Sequence, residues 1–183
     1  MSAVEANSAP ARGRNCGSCA LCCKLLGIAE LNKPMGQWCP NCLKSGGCRI
    51  YDTRPNECRT FNCEWLVNAQ IGDEWQPLRS KMVMHHVNDG GISKLVIHVD
   101  PGSPLSWKSE PYYSQLKRWA RNAIETNGLI NIYLGKKVIV VLPKKDVDLG
   151  TFKLGDRINI LKRRTGSDWE VEVQKVSQDA RSQ

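Results

Sequence analysis

All nine cysteines of this 183-residue chain lie between Cys16 and Cys63, and the 120 residues that follow contain none. Crowding is greatest in "NCGSCALCCKLLG", residues 15 to 27, where Cys16, Cys19, Cys22 and Cys23 fall within eight positions. Three chemistries gather thiols this closely: disulfides, a metal centre, or thiol redox reactions. An odd number of cysteines cannot pair completely within one chain. Cys22 and Cys23 are neighbours, and a bond between them would strain both the peptide unit and the disulfide. The N-terminal stretch "MSAVEANSAPARGRN" is polar and small, without the apolar run of an export signal. The expected location is therefore the reducing cytoplasm, where disulfides are rare. Metal ligation is the reading that accommodates all these facts.

The spacing sharpens it. The cysteines read C-x2-C-x2-C-C from Cys16 to Cys23, C-x2-C-x5-C from Cys39 through Cys42 to Cys48, and C-x4-C from Cys58 to Cys63. A C-x2-C pair lets two thiolates reach one ion while nearby backbone N–H groups bond the sulfurs. Gly17 and Ser18 permit such a turn at the first pair, and "CPNC" at Cys39–Cys42 is a second candidate. Two such pairs about 20 residues apart form a zinc pattern. Cys16, Cys19 and Cys22 equally reproduce the run that wraps an iron–sulfur cube, with a fourth thiolate from elsewhere. Thiolate sites suit both metals, so zinc and iron, including an iron–sulfur cluster, both stay open. All nine cysteines are candidate ligands.

The residues also carry a resemblance. "CGSCALCC" followed by "WCPNCLKSGGCRIYDTRPNECRTFNCEWL" resembles the CxxCxxCC proteins, the zinc- or iron-chelating family of YkgJ-type cysteine clusters. The signature Cys-x-Ile-Tyr-x-x-Arg-Pro-x-x-Cys-Arg-x-Phe-x-Cys runs intact from Cys48 to Cys63, and the match covers roughly residues 15 to 66. The resemblance implies metal chelation by the cysteines and no particular reaction. Tyr51, Arg54, Pro55 and Arg59 belong to the matched signature. Its arginines either donate N–H groups to thiolate sulfur and offset its charge or are ordinary cations at a helix start.

Residues 15 to about 50 show neither helical nor strand periodicity, and ligation is the free-energy source available to order them. "TRPNECRTFNCEWLVNA" predicts one continuous helix, with Thr53 as N-cap and Pro55 in the first turn. On such a helix Cys58 and Cys63 would diverge by about 140° and would serve different metals, or Cys63 none. Phe61, Trp65 and Trp38 read as core residues covering the metal site. "KMVMHHV" and "KLVIHVD" predict strands joined at "NDGG". "PYYSQLKRWARNAIETNG" predicts a helix whose buried face is Tyr112, Leu116, Trp119, Ala120, Ala123 and Ile124. Hairpins are expected at Gly135 and at Thr165-Gly166-Ser167. The fold class is then α+β: an irregular cysteine-rich segment packed on a mostly antiparallel sheet with one long helix. Its expected divisions are a disordered tail at 1–14, the cysteine segment at 15–76, the α+β region at 77–175 and a flexible tail at 176–183. His85 and His86, adjacent on a strand, face opposite sides, so at most one of them could reach the cysteines. Strand histidines are more often structural, and His98 is the weakest candidate.

The formal charge is +8. Eight thiolates around two divalent ions would add about minus four (eight minus four), leaving roughly +4. The excess is spread, with eight basic and four acidic residues up to Cys63 and eighteen against fourteen beyond. The one basic run, Leu161 to Arg164, reads as a solvated strand end. Nucleic acid is disfavoured as a partner, no membrane span is expected, a metal ion is the partner indicated, and a protein partner stays open. No hydrolase triad, phosphate loop or dinucleotide motif is present. The leading reading is a metal-binding protein with a structural or metal-handling role. The alternatives are an iron–sulfur or thiol-dependent redox or transferase enzyme, and a nucleic-acid-binding zinc module.

Overall fold

The computed structural model describes residues 9–43 and 45–177. Residues 1–8 of the expected N-terminal tail and 178–183 of the expected C-terminal one lie outside the described residues. The first third is built from short pieces: α1 (Leu21–Leu25), α2 (Asn56–Thr60), α3 (Glu64–Val67) and α4 (Pro77–Ser80), with single 3-10 turns between them. None exceeds five residues, too short to be stable as an isolated helix. Cross-links from elsewhere hold them. Ala29 N–H donates to Glu57 and Asn56 N–H donates to Glu30, at 2.8 and 2.9 Å.

The helix expected across Thr53 to Ala69 is interrupted. Phe61 and Cys63 are extended, with ψ of 122° and 154°, between α2 and α3. Packing explains the break. Phe61 joins Cys19, Cys22 and Cys63 around Leu21, Leu25 and Val83, whereas Trp65 and Leu66 enter the sheet core. On one helix residues 61 and 65 would share a face and could not serve two separate clusters. Thr53 ends a 3-10 turn instead of capping α2.

The rest is an α+β unit. Strands β1 (Met82–Asp89), β2 (Ile92–Val99), β3 (Gly128–Leu134), β4 (Lys137–Val141) and β5 (Asp146–Thr151) form one sheet in chain order. All pairings are antiparallel except β2 with β3. That parallel pair needs a crossover, and α5 (Tyr112–Glu125) supplies it. Leu116, Ala120 and Ile124 recur every four residues on its buried side, and Tyr112, Trp119 and Ala123 flank them. Strands β6 (Arg157–Thr165) and β7 (Asp168–Val176) form a separate ribbon, turning at the expected Gly166.

Strand alternation sorts the sheet's two faces. Met82 and Met84 meet α5 in the main core with Ile97, Val99, Ile130 and Ile132. Val83 and His85 face the other way, where Leu21 and Leu25 of α1 dock on Val83. Further along, the ribbon's Val171 and Val173 pack on Leu129, Val140 and Leu142. Lys24, beside α1's end, reaches Asp100 just after β2 at 2.6 Å. Arg14 donates to the carbonyls of Trp65, Asn68 and Ile71. The cysteine segment is thereby fixed to the sheet by apolar docking and by charge. Among the described residues, no helix is long and apolar enough to cross a membrane.

Candidate metal centre

The first C-x2-C closes as a tight turn, with Cys19 N–H on the Cys16 carbonyl at 2.7 Å and Gly17 at φ 49°. Cys22 and Cys23 lie in α1, so their side chains leave the helix about 100° apart. Cys39 N–H donates to the Cys23 carbonyl and Cys42 N–H to the Cys39 carbonyl, each at 3.0 Å. Cys42 and Cys48 pair as an antiparallel bridge. Cys58 sits in α2, and Cys63 precedes the first residue of α3. All nine cysteines are unbridged.

Two sets emerge. Cys63 packs with Cys19 and Cys22 against Val83, and it interacts electrostatically with Cys16 and Cys19. Cys58 instead interacts with Cys23, Cys39 and Cys48, and so does Cys42. The first set is Cys16, Cys19, Cys22 and Cys63; the second is Cys23, Cys39, Cys42, Cys48 and Cys58, with Cys23 also hydrogen-bonded to Cys22 and interacting with Cys16 and Cys19 of the first. Adjacent Cys22 and Cys23 join them. Among the described residues, no three His, Cys, Asp or Glu side chains converge in metal-holding geometry.

The electrostatics favour ionised sulfur at the junction. A hydrogen bond from Cys22 brings the Cys23 thiol down to about 6 against the opposing effect of burial, with help from Cys42 and from the charges of Lys33 and Arg54. The same bond, with burial, holds the proton on Cys22. Burial pushes Cys63 up to about 11, and burial with the nearby Cys23 raises Cys42 to about 11. Lys33 is a buried cation whose Nζ donates to the carbonyls of Lys24 and Leu26. Its neighbour Asn32 takes a left-handed φ of 48°. Nothing in "ELNKPMG" marked this lysine as part of the site. Arg54 acts on Cys16, Cys23 and Cys58, and its buried Nε has no hydrogen-bond partner among the described residues. An orphaned N–H beside clustered thiols suits a bound thiolate centre, where sulfur would accept it. The Arg54 guanidinium also lies over the Tyr51 ring at 4.0 Å.

The aromatic expectations divide. Phe61 covers the first thiol set and meets the His85 ring edge-on at 5.6 Å. Trp65 is buried in the sheet core instead. Trp38 is 55 % exposed, with the Lys24 ammonium 5.7 Å from its ring, and does not join the buried residues that pack on the thiols.

Gly46 holds the two cysteine loops together. A β-carbon there would lie 2.4 Å from the Ser18 carbonyl oxygen and 2.9 Å from its Cα, and φ is 88°. Both the contact and the left-handed backbone exclude a side chain. Gly46→Ala is expected to lower the melting temperature by about 5 °C or more, from roughly 2 kcal/mol of strain. An unchanged melting curve would mean that the loops do not touch in solution.

The histidines separate as strand geometry requires. His86 meets Glu64 at 2.8 Å on the α5 side. His85 lies on the cysteine side, its Nε2 3.2 Å from that of His98. The rings are parallel within 2° with centroids 5.3 Å apart, so they meet edge to edge and one N–H points at the other nitrogen. That bond needs at least one neutral ring to accept and is lost when both are protonated. Burial, aided by His85, lowers His98 from 6.5 to about 3. The unfolded chain therefore binds protons more readily between those values. Stability should be complete above about pH 6.5 and fall as pH drops toward 3. Urea midpoints of His98→Gln should fall less steeply from pH 7 to 5 than those of the parent; equal slopes would contradict this assignment.

No protein-family profile, curated protein or solved structure matches this chain.

Proposed function

We propose that this chain is a cysteine-ligated metal protein, binding zinc or iron through Cys16, Cys19, Cys22 and Cys63 and through Cys23, Cys39, Cys42, Cys48 and Cys58. The observation that carries the proposal is the gathering of nine thiols into two adjoining sets near the buried cation Lys33 and the half-buried guanidinium of Arg54. A tetrahedral thiolate site takes four sulfurs, which the first set supplies without surplus. Cys16, Cys19 and Cys22 with remote Cys63 also follow the ligand pattern of an iron–sulfur cube. The bound metal would supply cross-links between segments that have little apolar surface to bury. Lys33 and Arg54 offset the charge of the ionised sulfurs. The role is structural or metal-handling, in the cytoplasm, and the reading places the chain with the CxxCxxCC proteins that its cysteine segment resembles.

X-ray absorption at the metal edge tests the ligand set on protein purified without oxygen or chelator. The expected first shell is sulfur at about 2.3 Å. A shell of nitrogen and oxygen at about 2.0–2.1 Å would overturn the assignment. The visible spectrum of the same sample then separates the metals, a broad band near ~400 nm marking iron–sulfur and a colourless sample marking zinc.

A further inference from the structure

A groove of about 260 Å³ opens between α5, the sheet and α3, just below the ~300 Å³ from which drug-sized ligand sites run upward. Its floor is apolar, formed by Ile71, Met84, Leu95, Trp119 and Ile130. Polar groups gather at the mouth: Glu64, Asn68, His86 and Asn122. Glu64 is held in place, with one carboxylate oxygen on His86 Nδ1 at 2.8 Å and the other taking the Asn68 amide at 3.3 Å. A carboxylate offers about four acceptor positions, so these two bonds orient it without saturating it. Its side chain is 13 % exposed. None of the groove's fourteen lining residues is Lys or Arg, although the chain carries 26 of them. A carboxylate fixed over an apolar floor, in a groove lined by no Lys or Arg and with His86 as its basic neighbour, selects by charge as well as shape.

We infer that this groove binds a small amine with an apolar body, its ammonium on the Glu64 carboxylate and its body between Trp119 and Met84. The ammonium gains charge-assisted hydrogen bonds in a partly desolvated position, and the floor supplies burial for an aromatic or aliphatic group. An organic acid of the same shape meets the carboxylate and finds no Lys or Arg in the lining. No cysteine lines the groove, although Glu64 directly follows Cys63.

The test uses the full chain, metal-loaded as purified, and follows backbone amide NMR signals during titration. The probes are phenethylamine, the carboxylate 3-phenylpropionate and the neutral 2-phenylethanol. Phenethylamine should saturably shift signals of Leu95, Asn122, Thr126 and Ile130, and 3-phenylpropionate should bind at least tenfold more weakly. Glu64→Gln should weaken the amine by about tenfold and leave the alcohol unchanged. Glu64 follows Cys63, so metal content is measured on that variant. Asn122→Trp, built on an exposed helix position distant from the cysteines, should block both amine and alcohol by filling the groove. Equal binding of the carboxylate, amine shifts mapping to another surface, no binding of any probe, or an amine affinity untouched by Glu64→Gln in metal-replete protein would each overturn the proposal.

Discussion

Cys63→Ser is expected to release metal, whereas Cys58→Ser should retain most of it. The asymmetry follows from the number of sulfurs each set can spare. Cys63 belongs with Cys16, Cys19 and Cys22, four thiols for a centre that needs four. Removing one leaves an open coordination position, because Cys23, the thiol beside Cys22, is engaged with Cys42 and Cys58 in the second set. Cys58 belongs with Cys23, Cys39, Cys42 and Cys48, so its loss still leaves four. Native mass spectrometry reads the result as metal atoms per chain. Equal and complete loss in both variants, with far-UV circular dichroism retained, would instead mean one polynuclear centre spanning all nine thiols, bridged through Cys22 and Cys23.

Removing the metal with a chelator should loosen the first third of the chain and leave the sheet standing. Structural zinc contributes about 10–16 kcal/mol of apparent binding free energy, more than many small domains have as total stability. The described residues of 15–63 form short helices, 3-10 turns and two isolated bridges, so on the proposed reading that contribution would add to the docking that orders them. The sheet has its own core of Trp75, Trp107, Met82, Ile97, Leu116 and Ile132, none more than 2 % exposed. The boundary should fall at α3, because Trp65 and Leu66 belong to that core and Arg14 is bound to their end of the chain. Hydrogen exchange should therefore show protection lost from Cys16 to Cys63 and kept in β2, β3, β4 and α5. Loss spread evenly along the chain would mean that metal and sheet form one cooperative unit.

Much of the α+β region was legible because its elements are long and periodic. The stripe of Leu116, Ala120 and Ile124 marks α5, and the paired glycines 90 and 91 mark the first hairpin. β5 was not anticipated: "DVDLGT" contains Asp and Gly, which are depleted in strands, and it forms because β4 offers it an edge. The break between α2 and α3 was illegible for a different reason. Local spacing put Phe61 and Trp65 on one stripe, and only the tertiary arrangement shows that they serve separate clusters. The divergence of Cys58 from Cys63 was expected from helical rotation, yet it arises from that break. At the site, spacing identified the nine thiols as a group. It could not pair Cys63 with Cys16 and Cys19, nor bring in Lys33, since those contacts depend on α1 docking at Val83 and on the turn at Asn32.

Elemental analysis combined with thiol titration of the same anaerobically purified, chelator-free protein tests the central claim most directly. The account predicts at least one equivalent of zinc or iron per chain, with most of the nine thiols unreactive until the metal is removed. Less than about half an equivalent of both metals together, with nine freely titrating thiols, would contradict it.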